Sequence, residues 1–292
     1  MRVQWVIAGI VATVQSASII PAQSAPSIPA VELVRRVVSN ELNDHARHGY
    51  WRYWVERRSQ SGTRLEEQVE TAQGPLTRLA ASNGQPLDSE AQAREQARLR
   101  HLINSPQEQA RRLDQFNEDE KRIGRILALL PDAFLFDYDG LDGDAWRLRF
   151  RPNPAYPAHS IEARIFHAMS GRLWISSRYM RLVRLEGRVD ENVDFGFGIL
   201  GRLYKGGWFR LVRTQVSPTD WKTAQLEVHI SVRALLVKTF AHETSETRSG
   251  FAPVPAGLNL AQAMDLLDRS QPAESLAKPP AFPTPAALLL TK

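Results

Sequence analysis

Apolar positions change their period several times along the chain. Between Pro29 and His48, Val31, Val34, Val38 and Leu42 recur every three or four residues. That spacing predicts an amphipathic helix, and Pro29 suits its first turn. At Tyr50 the period drops to two. Trp51, Tyr53 and Val55 share one side of "YWRYWVERR", as in a half-buried strand. "TRLEEQVET" and "GPLTRLAAS" continue as strands around a Gly74-Pro75 turn. Residues 88–130 return to helical spacing but are polar. Ser89 and Gln92 can form a capping box, and Ser105, Pro106 and Glu108 mark a second helix start. The second helix carries a stripe of Leu113, Phe116, Ile123, Leu127 and Leu130, ended by Pro131, whereas the first has only Leu99, Leu102 and Ile103 near its end. The segment therefore predicts a helical hairpin, anchored by its second arm and solvated on its first.

From Ala133 to Thr247 nearly every stretch alternates. Leu148 and Phe150 stand against Arg147, Arg149 and Arg151, and Leu226, Val228 and Ile230 against Glu227, His229 and Ser231. "IEARIFHAMSGRLWISS" reads as a strand hairpin turning at Ser170-Gly171. Turns recur at the spacing of an antiparallel sandwich or barrel. The βαβ rhythm of a parallel sheet is absent. A short helix, "NLAQAMDLLDR", follows Pro255, and residues 269–292 form a Pro/Ala-rich tail expected to be disordered.

Gly196, Gly198 and Gly201 in "DFGFGILGRLYKGGWF" have the G-x-G-x-x-G spacing of a dinucleotide loop. Such a loop needs a strand before it and a helix after it, whose N-terminus holds the pyrophosphate. Here strand, turn and strand follow. A kinase-type glycine loop fits a hairpin better, but the chain has no H-R-D sequence. The glycines, with Gly206 and Gly207, are expected to bend a sheet.

Composition narrows the chemistry. Cysteine is absent from the 292 residues, which excludes disulfides, a thiolate nucleophile and a lipidated cysteine anchor. Lysine and arginine number 37 against 32 acidic residues, giving a pI near 9.7. Arg2, the apolar run from Val3 to Ile20 and the small residues after it have the order of a cleavable secretory signal. Residues 1–25 are expected to be removed and the mature chain to be periplasmic.

Candidate sites compete with plain structure. Glu41, His45 and His48 share a helical face and are three possible zinc ligands; equally, histidines at a helix end complement its dipole. Asp137, Asp139, Asp142 and Asp144 resemble a calcium loop only superficially, because EF-hand spacing fails. The G-x-S-x-G elbow of a hydrolase is absent. Arg147, Arg149 and Arg151, with Arg178, Arg181, Arg184 and Arg188, fit a solvated sheet face, an anionic lipid surface or nucleic acid. An exported protein has little occasion to meet the last.

The order of these pieces, with "VETAQGPLTRLAASNGQPL", "LPDAFLFDYDG", "FHAMSGRLWIS" and the glycine segment, resembles the outer-membrane lipoprotein-sorting-like family of LolA/LolB-like periplasmic lipoprotein carriers. The likeness spans roughly Val31 to Leu267. It implies an α+β, mainly antiparallel fold over residues 26–268: a strongly curved, open half-barrel with helices over its concave face. The 88–130 hairpin is then an insertion. It also implies a non-enzymatic carrier without cofactor or metal. Lipid acyl chains or lipoproteins would lie between sheet and helices, with transient membrane contact and an envelope protein partner. Trp51, Tyr53, Val55, Leu148, Phe150, Leu226, Val228 and Ile230 are the expected lining, or else plain core. An envelope sensor or scaffold with the same fold, and a hydrolase with no recognisable motif, remain as alternatives.

Overall fold

The computed structural model describes residues 26–44, 49–195, 201–234 and 238–269. The expected signal segment, the tail beyond Arg269, His45, His48, Gly196 and Gly198 lie outside them. The described residues form five helices and a thirteen-stranded antiparallel sheet. The first strands are β1 (Tyr50–Ser59), β2 (Gly62–Val69), β3 (Leu76–Ser82) and β4 (Gln85–Pro86). Next come β5 (Phe134–Asp142), β6 (Ala145–Pro152), β7 (Met169–Ser176) and β8 (Leu182–Val189). Two short strands, β9 (Val193–Phe195) and β10 (Gly201–Leu203), precede β11 (Trp208–Gln215), β12 (Trp221–Ala234) and β13 (Lys238–Val254). The sheet runs β4-β3-β2-β1-β13-β12-β11-β8-β7-β6-β5, with β9 and β10 attached through β12. It is open and curved, an unclosed half-barrel.

Residues opposed across an antiparallel pair point to the same side. Register therefore sorts the sheet into two faces. One row is Leu148, Leu173, Leu185, Leu211 and Leu226; the next is Phe150, Gly171, Gly187, Phe209 and Val228. These define an apolar face. On its reverse, Arg149, Arg172, Glu186, Arg210 and Glu227 stand opposite one another.

Helices cover the two ends of the sheet. At the β5–β7 end, α1 (Ala30–Asp44) buries Leu33, Val34, Val37 and Val38 against Phe134, Leu148, Phe150 and Ile175. Phe166 of α4 (Ile161–His167) and the final turns of α3 (Pro106–Ala133) complete this cluster on the apolar face. At the other end, α2 (Ser89–Ile103) and α5 (Leu260–Arg269) pack Leu99, Leu102, Leu260, Ala263 and Leu267 onto Val69 and Leu76. Val69 pairs with Arg52, the reverse side of β1 from Trp51 and Tyr53. This second layer therefore sits on the opposite face.

Helix α3 joins the layers. Its 28 residues span about 42 Å at 1.5 Å per residue. Near its start Arg112 donates to the Pro75 carbonyl beside β3, at 3.2 Å. Its far end runs directly into β5, the other edge of the sheet.

Four local readings change. The cap of α2 is Asp88, which accepts from the Ala91 N–H at 2.7 Å, rather than Ser89. Pro131 falls inside the last turn of α3 and does not stop it; the helix continues to Ala133. "IEARIFH" is the helix α4, because Ser160 caps it at 3.0 Å and Ala163 and Phe166 bury at helical spacing. Gly171 lies within β7, not at a turn.

Gly171 and Gly187 face each other across β7 and β8. A Cβ on Gly187 would lie 2.3 Å from the Phe209 ring, and one on Gly171 would lie 2.7 Å from the Phe150 ring. Two phenyl rings thus pack over a floor that only glycine leaves clear. Gly187→Ala should destabilise the protein by about 1–3 kcal/mol, the ordinary cost of overpacking. In a Phe209→Leu background that cost should shrink, as urea denaturation of the four proteins of the cycle will measure.

Candidate functional site

The eight expected lining residues all fall on the apolar face, by the registers given above and those of β1 with β13. They do not share one environment. Leu148 and Phe150 are buried beneath α1 and α4 as ordinary core. Trp51, Tyr53 and Val55 are buried too, against Val216 and Phe251. Leu226, Val228 and Ile230 are half-buried. Phe209, Leu211 and Leu185 join them from β11 and β8, also half-buried. These three were legible in the alternation of "WFRLVR" and "LVRLEG" but were not assigned to the site. Phe209, Leu211, Leu226 and Val228 belong to none of the buried clusters of the described residues. They form an apolar strip between the helices at one end and a charged wall at the other.

The wall is built on β1, β2 and β13. Arg57 bridges Glu66 at 3.0 Å and Glu246 at 2.9 Å, while Arg248 holds Glu246 at 2.6 Å. Both carboxylates are buried. Burial alone would raise the Glu246 carboxyl, but Arg248 and Arg57 outweigh it and hold the group below its ordinary range. Next along the face, Lys222 sits 2.8 Å from Glu70. Glu70 accepts from the Tyr53 hydroxyl at 3.3 Å, and Gln68 donates to the Tyr53 oxygen at 2.6 Å. Burial pushes the Tyr53 phenol far above its usual range, with Arg248 opposing and Glu70 adding to the shift. It is a neutral hydrogen-bonding group at any physiological pH.

At the helical end, the buried Glu41 of α1 receives Arg181 at 3.0 Å, a second contact from Arg213, and the Leu182 N–H at 3.4 Å. Glu41 thus fixes α1 to β8 and β11. The zinc expectation does not gain support: Glu41 is engaged by arginines, its two candidate partners lie outside the described residues, and no metal-binding group of acids and histidines occurs among the described residues. Arg181, expected on a solvated face, is buried in this anchor.

The acidic turn supplies counter-charges. Asp139 lies 3.1 Å from Arg147 and 3.3 Å from Arg172, and Asp142 accepts from the Trp174 indole N–H at 2.9 Å. The glycine segment falls between β9 and β10, which pair with each other as strands. The first described residues after it form the strand β10, not the helix that a dinucleotide loop would require.

No family model and no curated protein matches the chain. Among solved structures it is similar to a DUF1329 family protein from Desulfovibrio piger, at 10% identity over 80% of this chain and 96% of that one, with a TM-score of 0.27. A likeness at that score carries no weight for function.

The wall makes stability depend on acid. Because the folded Glu246 carboxyl is held low, its contribution is complete above the unfolded carboxylate range near about 4.3. It is lost as pH falls through the folded value. The urea midpoint should therefore decline below that range. Glu246→Gln should be less stable at pH 7 and show a shallower decline between pH 5 and pH 2.5.

Proposed function

We propose that this protein is a non-enzymatic carrier of acyl chains or lipoproteins in the cell envelope, exported to the periplasm by its N-terminal segment. The observation behind this reading is the half-buried apolar strip of Leu185, Phe209, Leu211, Leu226 and Val228. A soluble domain normally covers such a row with its own helices or loops. Here the helices lie over the two ends of the sheet, and the strip is bordered by α1 on one side and paired ions on the other. Three adjacent strands at their usual spacing give it a breadth of about 10 Å. A chain laid along it would gain about 0.8 kcal/mol for each CH₂ removed from water. The glycine pair under Phe150 and Phe209 keeps the floor low.

The carrier stays mobile in this reading. No helix among the described residues is long and apolar enough to cross a membrane. Contact with a bilayer would be transient. The strip lies beside α1, which the Glu41 anchor holds in place, so loading in this reading needs no helix to move. The alternative, an envelope scaffold, would use the α2–α3 hairpin for docking and leave the strip empty.

Native mass spectrometry of the protein purified from the envelope distinguishes the two. The carrier reading expects co-purified lipid or acylated peptide near one per chain, and uptake of added lysophospholipid by delipidated protein. Val228→Glu should reduce that uptake at least about tenfold, as a buried charge would, with the far-UV circular dichroism unchanged. A clean unliganded mass with no uptake would sink the carrier and favour the scaffold.

A further inference from the structure

The charged face carries a furrow that the acyl-chain reading does not use. Its walls are two rows of side chains set across β6, β7, β8, β11 and β12. One wall is the row from Arg149 to Glu227 described above. The other has Ser170, Arg188, Trp208 and His229 in successive register. Between them lies a cleft of about 500 Å³, which continues past Trp208 and Glu227 into a second of about 360 Å³. The floor is the backbone of the row that contains Gly171 and Gly187.

The two ends of the furrow differ in chemistry. On β6 and β7, Arg149 and Arg172 stand directly opposite each other, an arrangement that repels. The carboxylate they share is Asp139, at 3.7 and 3.3 Å, and Arg147 claims it as well at 3.1 Å. Three guanidiniums on one carboxylate leave that end with an excess of positive charge. Arg188, with 71% of its side chain exposed, adds a fourth guanidinium, paired with Asp190 at 2.6 Å. On β11 and β12 the character changes. Trp208 is 43% exposed, an unusual cost for so large a ring beside these charged rows. It lies parallel to His229, with ring centroids 6.1 Å apart. Glu227, and Glu186 with its partners Arg184 and Arg210, line the same stretch.

We propose that this furrow binds an acidic oligosaccharide. Its carboxylate or phosphate would sit against Arg149, Arg172 and Arg188, which present planar forks suited to such groups. A sugar ring would lay its C–H face on Trp208 and direct hydroxyls to Glu186 and Glu227. A polyphosphate chain fits less well, because it has no ring to lay on Trp208. A flat membrane fits less well, because the binding groups line the walls of a recess. Trp208 and Arg172 stand two strands apart, about 10 Å, so the ligand spans more than one sugar ring.

Titration calorimetry of the full protein with hexagalacturonate, against maltohexaose as the neutral chain of equal length, tests the proposal. The acidic hexamer should bind at least about tenfold more tightly than the neutral one. Arg172→Gln, and Arg188→Gln as a second variant, should erase that preference. Trp208→Ala should weaken the acidic hexamer about tenfold. Arg125→Gln on α3, away from the furrow, should leave both affinities unchanged. Unaltered denaturation midpoints will show that these exposed substitutions leave the fold intact. No binding of hexagalacturonate would overturn the proposal. So would equal losses from Arg125→Gln and Arg172→Gln, which mark general charge attraction. Indifference to Trp208→Ala, or binding to phosphatidylglycerol vesicles in place of the hexamer, would overturn it too.

Discussion

One apolar face, wider than the helices laid on it, is the constraint from which the rest of this architecture follows. An open antiparallel sheet must keep one side from water. Here α1, α4 and the end of α3 do so over β5 to β7, around Phe134, Leu148 and Ile175. Over β1 and β13 the work passes to ions. Arg57, Glu66, Glu246 and Arg248 lie across the strands and close over Val55 and Tyr53. Burying those carboxylates is tolerable only because each has guanidinium partners and hydrogen bonds. Among the described residues the middle of the face has neither cover.

The same sheet therefore offers two surfaces of opposite character, and strand alternation is what separates them. Leu148 and Phe150 face inward because Arg147 and Arg149 face out. Leu226 and Val228 do so because Glu227 and His229 do not. Neither surface depends on the other for its chemistry. They share only the backbone of the row through Gly171 and Gly187, where the phenyl rings lie on one side and the furrow floor on the other.

Period-two alternation made the strands legible and put the expected residues of each strand on one side; it is the register that joins those sides into one face. The α2–α3 hairpin was legible too, from Pro106 and helical spacing, but its anchoring was not: Leu99 and Leu102 of α2 are fully buried, whereas Ile123 in the α3 stripe is exposed. What alternation does not encode is which other element arrives on top. Leu148 and Val228 have the same pattern around them, yet one lies under α1 and the other, half-buried, under no helix of the described residues. The short helix α4 was hidden because seven residues of "IEARIFH" satisfy either period, and the Ser160 cap decides it. Glu41 looked like a metal ligand because its true partners, Arg181 and Arg213, are more than a hundred positions away. Long-range ion pairs leave no periodic trace.

Helix α3 begins beside β3, near one edge of the sheet, and delivers the chain into β5 at the other. A sheet that does not close has no hydrogen bond to fix how far apart its margins stand. Here a rigid rod of known pitch does it. Each turn of α3 accounts for 5.4 Å of that separation. The aperture of the half-barrel is thus written as a residue count between Pro106 and Ala133. Lineages that lengthen or shorten this one segment would change the gauge of the opening without altering any strand.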